Sequence, residues 1–417
     1  MYNDKWSFSK RFFFLFFLSY CSLFVNSKQF FFTNLLDPIW QKVIPWFAKF
    51  LGHSTSIFYV FNGSGDTTFH YYQIFFFAIF SIFFSIIITV FDRKRNNYNT
   101  LLSWLIILLR YYLFVQMMTY GLSKLFYLQF SFPSEARLGQ KLGDLSPMGL
   151  LWTFMGYSKP YTIFTGALEF IGGILLLSRK TTTLGALITF GVMINVMMLN
   201  YCYDVPVKIL STHLVLISAF LIALNGRRLI SFFVTNQKVE PFIFHNVVSV
   251  KYQKPKIILK WTLIIGYLAF GIYSENKMSN ERKNTTPIAI ESIFRGKYIV
   301  ENFTRANDSL GIYSNPKLDW KIFQQRRDGH ATITMSNKQH EFFNFELDES
   351  KNLIKIKTDR ESNFNEMKYE KIDDSKFHVF GKYGTDYLDM ILTRKSMKDY
   401  QLIKRGFNWI SEKPYNR

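Results

Sequence analysis

Cysteine is nearly absent from this chain: 417 residues contain only Cys21 and Cys202. Two thiols cannot build a disulfide framework or a cysteine metal site. Both fall in apolar stretches, where a thiol packs as a small hydrophobe; a single Cys21–Cys202 bridge is the alternative. Acidic residues are scarce before position 274, with 9 Asp and Glu against 24 Lys and Arg, whereas residues 274–417 carry 21 against 26. The marks of soluble catalysis are missing too. There is no phosphate-binding glycine loop, no H-E-x-x-H, no nucleophile elbow and no histidine pair placed to hold haem between helices. The net charge of +20 is not arranged as a basic stripe interleaved with exposed aromatics, so nucleic acid is not the expected partner.

What the chain has is apolar length. Seven runs, at roughly 8–26, 74–92, 101–126, 160–178, 184–203, 209–225 and 257–273, suit a hydrocarbon core about 30 Å thick. The mean hydropathy of +0.04 averages these with a water-soluble tail. Every second connection carries the basic residues: Lys5, Lys10 and Arg11; Arg93, Lys94 and Arg95; Arg179 and Lys180; then Arg227, Arg228, Lys251, Lys254 and Lys256. The positive-inside bias predicts a cytoplasmic N-terminus and an external C-terminal part, with the excess charge on the face that meets anionic lipid. The reading is a multi-pass membrane protein whose first partner is the lipid bilayer. Residues 1–100 form two spans with a long outer loop, 101–230 a four-helix core, 231–275 a cytoplasmic segment and last span, and 276–417 an external β-rich domain. Leu18-Ser19-Tyr20-Cys21 faintly resembles a lipoprotein cleavage site, but Tyr20 stands where a small residue is needed and no A-x-A site follows, so the first span is read as a retained anchor.

In the loop at 27–73, Ile39, Trp40, Val43, Ile44, Phe47, Phe50 and Leu51 recur at helical spacing, interrupted by Pro45. This predicts an amphipathic segment in the outer interface, with Trp40 and Trp46 at headgroup level. Asn62 to Thr68 reads as a tight surface turn in which Asp66 bonds amides. The short connections at 179–183 and 204–208 predict antiparallel neighbours, while 127–159 is a long polar loop. The apolar patch Leu229 to Val234 is expected on the cytoplasmic surface. In the tail, Ala331–Met335, Leu353–Lys357, Phe377–Phe380 and Tyr387–Leu392 read as strands, separated by Asp328-Gly329, Asp348-Glu349, Asp373-Asp374 and Gly384-Thr385. That spacing predicts a small antiparallel barrel or sandwich. Asn302 breaks the alternation around Tyr298 and Val300. The stretch Phe294 to Val300, with Trp320 further on, resembles the start of a lipocalin-like barrel.

Polar groups at membrane depth are the candidate site, because they are costly there and face a bundle interior. Arg110, Glu169 and Asn195 are expected at similar depth near the midplane, with Arg110 and Glu169 pairing. Nearer the outer face come Tyr120, Lys124, Asn200, Tyr201, Asp204 and His213. Lys124 and His213 either snorkel to the interface or handle protons in a small outward-opening pocket. Gly166, Gly172 and Gly173 flank Glu169 and allow helices to approach.

The string Gly166-Ala167-Leu168-Glu169-Phe170-Ile171-Gly172-Gly173-Ile174-Leu175-Leu176-Leu177, followed by Arg179-Lys180-Thr181-Thr182, resembles the DoxX/DoxD-like membrane family. Arg110, Gly121 and Lys124 resemble that family's first core helix, with an Arg early and G-x-x-K near the end. The likeness covers roughly 100–230. Longer strings, Ser146 to Tyr157, Cys202 to Lys208 and Arg405 to Ile410, are similar to bacterial DoxX-like proteins with an extra C-terminal domain. The resemblance implies a bacterial inner-membrane protein with a four-helix core and a periplasmic C-terminal domain. It implies a subunit or partner of a quinone- or thiol-linked redox system, with a quinone-sized apolar pocket between the third and sixth spans. Two apolar cysteines weigh against the thiol version. The other expectation is a non-catalytic envelope protein whose β domain binds a protein or a lipid-like ligand.

Overall fold

The computed structural model describes residues 5–27, 37–53, 57–59, 63–92, 94–239, 253–284, 293–327, 329–359, 361–394 and 400–405. Arg93, Asn62, Lys251, Asp328 and the stretch 406–410, all singled out above, lie outside them. The chain divides into two units: residues 1–131 with 146–279, and residues 132–145 with 280–417.

The first unit is helical, as apolar segments that meet lipid must be: only a helix satisfies every backbone amide within itself. Its helices are α1 (Phe8–Ser27), α2 (Asp37–Phe50), α3 (Thr68–Phe91), α4 (Asn99–Leu125), then, after the short α5 (Glu135–Leu138) of the other unit, α6 (Pro147–Tyr157), α7 (Lys159–Leu176), α8 (Thr182–Cys202), α9 (Lys208–Ala223), α10 (Gly226–Phe233) and α11 (Gln253–Asn284). All seven runs read from the sequence are helical. Among the described residues, five helices are long and apolar enough to cross a bilayer alone: α1, α3, α4, α8 and, over Ile257–Glu281, α11. The 16-residue α9 qualifies only with α10, across a 72° bend, and α7, whose 18 residues include Lys159, Glu169 and three glycines, does not.

The core packs α4 against α7, α7 against α8, and α8 against α9, with α1 on α3. Glycine sets the α4–α7 approach. A Cβ on Gly166 would stand 2.7 Å from Lys124 Cβ, and one on Gly173 would stand 2.9 Å from Met117 Cβ. Leu105, Leu109, Tyr112, Leu113, Phe114, Met117 and Met118 of α4 are almost fully buried in this core.

Basic residues close the ends of helices. Arg11 donates to the carbonyls of Trp6, Asp92 and Arg95 just beyond α3, Arg110 donates to Leu176 O at the end of α7, and Lys260 donates to Leu177 O at 2.6 Å. Cations at helix C-termini are favoured by the macrodipole. The amphipathic α2 continues through Pro45, burying Trp40, Ile44, Phe47 and Ala48 and exposing Trp46 and Phe50. Asp66 does bond amides, but distant ones: its carboxylate accepts from Lys208 N (2.6 Å) and Ile209 N (3.0 Å), capping α9.

The second unit is a closed barrel. Its strands are β1 (Gly296–Asn307), β2 (Gly311–Tyr313), β3 (Trp320–Arg327), β4 (His330–Met335), β5 (His340–Asp348), β6 (Leu353–Lys357), β7 (Asn365–Lys371), β8 (Lys376–Tyr383) and β9 (Asp386–Arg394). From β3 onward each pairs antiparallel with the next; β1 pairs with β3 at one end and with β2 at the other, and runs along β9 to close the ring. Closure removes the exposed edges of an open sheet. The bulge between Glu301 and Thr304 centres on Asn302, at φ 50°, which accounts for the broken alternation there. Inward residues alternate along β4, β6, β8 and β9, and Phe294, Tyr298, Trp320, Phe323, Phe343 and Phe377 fill the interior. An eight-stranded barrel is just wide enough to be filled this way. A short helix, α12 (Gln401–Lys404), follows β9. Residues from the long loop belong to this unit: α5 packs on β1, and Lys297 Nζ donates to Gly139 O at 3.1 Å.

Candidate functional site

Tyr120 and Lys124 stand one helical turn apart on α4, so their side chains share a face. Glu169 meets that face from α7. Lys124 Nζ donates to both carboxylate oxygens of Glu169 at 2.6 Å, and the two side chains are 6% and 2% exposed. The ammonium lies 5.7 Å from the centre of the Tyr120 ring, within cation–π range. A lone charge at this depth would cost several kcal/mol; paired, the site is neutral.

The expected Arg110–Glu169 pair does not form. Both Arg110 Nε and Nη2 donate to Leu176 O, at 3.0 and 2.6 Å. A depth counted in residues from each span's start assumes helices of equal length. Instead α4 has 27 residues and α7 has 18, and the first turns of α4 extend past the end of α7. Arg110 therefore meets the last carbonyls of α7, and Glu169 meets Lys124. Snorkelling of Lys124 is likewise overturned, since its amine is held inside.

Beside the pair opens a cavity of about 450 Å³, lined by α4, α6, α7, α8 and α9. It brings together five of the predicted residues: Tyr120, Lys124, Glu169, Asn195 and Asn200. The rest of its wall is mostly apolar, with Trp152, Met155, Phe164, Leu168, Ile188 and Leu214, but Gln129, Thr165 and Ser211 also line it. Two buried polar atoms on its lining have no hydrogen-bond partner among the described residues, Asn200 Nδ2 and Gln129 Oε1. Asn195 and Gly191, both exposed on α8, form part of its rim. Such a site offers a donor, an acceptor and a compensated charge pair in a mostly apolar hollow, the usual make-up of a small-molecule pocket.

His213 belongs elsewhere. Its Nε2 is 2.8 Å from Tyr20 Oη, its Nδ1 is 2.7 Å from Ile209 O, and its ring stacks on Phe24. A carbonyl can only accept, so Nδ1 carries the proton and Nε2 accepts from Tyr20; the ring ties α1 to α9. Tyr201 bonds Thr212, and Asp204 takes Lys208 Nζ at 2.7 Å. The thiols are free, Cys21 buried and Cys202 exposed. Gln129 was missed by the sequence reading. It lies just past the end of α4, in a stretch read as polar loop, and no periodicity marks it.

The fold and site define a multi-pass α-helical membrane protein with a largely apolar cavity beside a buried ion pair, and with a β-barrel. Among curated proteins, an uncharacterized protein of Bacillus subtilis (strain 168), YwoB, is 37% identical over 84 residues, which are 20% of this chain and 54% of that protein. The chain thus spans about half the length of this relative. No protein-family profile matches the chain, and no solved structure does.

Proposed function

We propose that this is a DoxX-like membrane protein whose cavity binds a lipid-soluble ligand of the quinone class, in the service of a redox partner. The observation that carries the reading is the polar end of the cavity. Lys124, Glu169, Tyr120, Asn200 Nδ2 and Gln129 Oε1 border a largely apolar hollow of about 450 Å³. A head with carbonyl or hydroxyl oxygens would satisfy the orphaned donor and acceptor, and an apolar tail would leave past Gly191 and Asn195. The thiol-linked version has less support, because Cys21 is buried in the core. A lipid-like ligand inside the β domain is disfavoured by the aromatic rings that fill the barrel.

The same reading assigns seven crossings, with α7 and α9 as short central spans sheltered by longer neighbours. The N-terminus is placed in the cytoplasm and the barrel in the periplasm. The contacts of Arg11 with the carbonyls of Asp92 and Arg95, and of Arg110 and Lys260 with the end of α7, support one common basic face. The packing of 132–145 on the barrel supports placing that loop and the C-terminal domain on one side.

Purification in mild detergent, followed by lipid extraction and mass spectrometry, tests the ligand. A co-purifying quinone, lost on Asn200→Leu with Gln129→Leu, is the expected result. Protein that carries only bulk phospholipid, and does not take up added ubiquinone or menaquinone, would remove the quinone assignment.

A further inference from the structure

A second cavity, of about 260 Å³, lies on the other side of Tyr120, walled by α2, α3, α4 and α9. Tyr120 and Leu210 line both cavities. The two differ in chemistry. The smaller has Gln73 and Gln116 in its wall, 4% and 8% exposed, and neither side-chain amide is hydrogen bonded among the described residues. Trp40, 8% exposed, presents an indole N–H with no partner there either. Three buried polar side chains without protein partners would each cost roughly 1–3 kcal/mol if left dry. Water needs a polar, roomy site with two or more partners, and this cavity supplies both.

We propose that the smaller cavity is a water-filled vestibule reaching the Tyr120 ring, behind which the Lys124–Glu169 pair and the ligand cavity lie. The vestibule itself stands independently of the ligand assignment, although its use rests on that reading. Water there would bring protons as far as Tyr120, the ring that borders both cavities. The ring also keeps bulk water, and ions larger than a proton, away from the buried pair. Besides these amides and the indole, Asp37, Tyr59 and His70 also line the vestibule.

Cysteine accessibility tests this, because the chain has two native thiols to remove. In a C21A/C202S background, or C202S alone with buried Cys21 as an internal blank, Gln73→Cys and Gln116→Cys should react with a small charged methanethiosulfonate. Leu113→Cys, in the helix core, should not react. Met193→Cys, in the larger cavity, should react several-fold faster when Tyr120→Ala is added. The proposal is overturned if neither Gln73→Cys nor Gln116→Cys reacts while Ser64→Cys in the external turn does. It is equally overturned if the rate at Met193→Cys is unchanged by Tyr120→Ala. None of these readings depends on a quinone being bound, so the ligand assignment and the vestibule can fail separately.

Discussion

Glu169→Gln keeps the shape of the side chain and removes its charge, leaving the Lys124 ammonium buried without a counter-charge. Breaking one partner of a buried pair costs roughly 3–5 kcal/mol, whereas replacing both with apolar groups of similar volume is often neutral. Glu169→Gln and Lys124→Met should each sharply lower the thermal midpoint of the detergent-solubilised protein, and a Glu169→Met/Lys124→Met double variant should recover most of the loss. Equal and additive losses would mean that the pair is not coupled. In the barrel, the buried Arg305 binds Asp386 Oδ2 at 2.6 Å and Leu318 O at 2.6 Å, while Asn307 and Tyr313 also donate to Asp386. Burial pushes the Asp386 carboxyl up, but the hydrogen bonds from Asn307, Tyr313 and Arg305 outweigh it and bring it down to about 2. A depressed carboxyl stabilises the fold in full above its ordinary value of 3.8 and loses that contribution as pH falls through about 2. The barrel should therefore weaken between about pH 4 and pH 2. Near-ultraviolet circular dichroism of residues 285–417 against pH should show this, and Asp386→Asn should flatten that part of the profile.

At the scale of elements, two glycines on neighbouring helices make opposite predictions. Gly166 sits where α7 crosses α4, and a Cβ there would be 2.7 Å from Lys124 Cβ and 2.9 Å from Gly121 O. Gly191 on α8 has nothing within 4 Å of where its Cβ would be. Gly166→Ala should cost about 1–3 kcal/mol through forced separation of the helices, and it should also disturb the ion pair. Gly191→Ala should leave the melting temperature unchanged or raise it slightly, by removing a helix-weakening glycine. The start signals of α6 and α7 were written locally. Ser146 accepts from Gly149 N ahead of Pro147, and Ser158 accepts from Tyr161 N ahead of Pro160. By contrast β5 and β7 were missed as strands, although Phe343, Phe345, Met367 and Tyr369 alternate inward along them. Polar outward residues and the exposed Phe342 blur the alternation when read without the neighbouring strands.

For the whole molecule, the orientation is testable with fusions. A reporter active only in the periplasm, joined after residue 417 or inserted in 132–145, should be active at both places. Activity of a cytoplasm-only reporter at residue 417 would invert the topology, and opposite results at the two sites would contradict the packing of 132–145 on the barrel. Residues 285–417 expressed alone should give a β-sheet circular-dichroism spectrum, because their core is their own; a helical or unfolded spectrum would count against that.

The sequence by itself determined the division into an apolar helical part and a charge-balanced β part, and it determined the chemistry of the candidate site. Both follow from short-range physics: apolar length measured against a bilayer, side-chain alternation along strands, and the rarity of ionisable groups among apolar runs. Tertiary structure alone decided which polar group meets which. Glu169 faces Lys124 rather than Arg110 because α4 outreaches α7 and glycines fix the height at which they cross. It also decided that β1 runs beside β9, a pairing across some 90 residues such as Val300 with Leu392. Relative height and ring closure depend on distances between segments far apart in the chain, and a periodicity read within one segment carries no term for them.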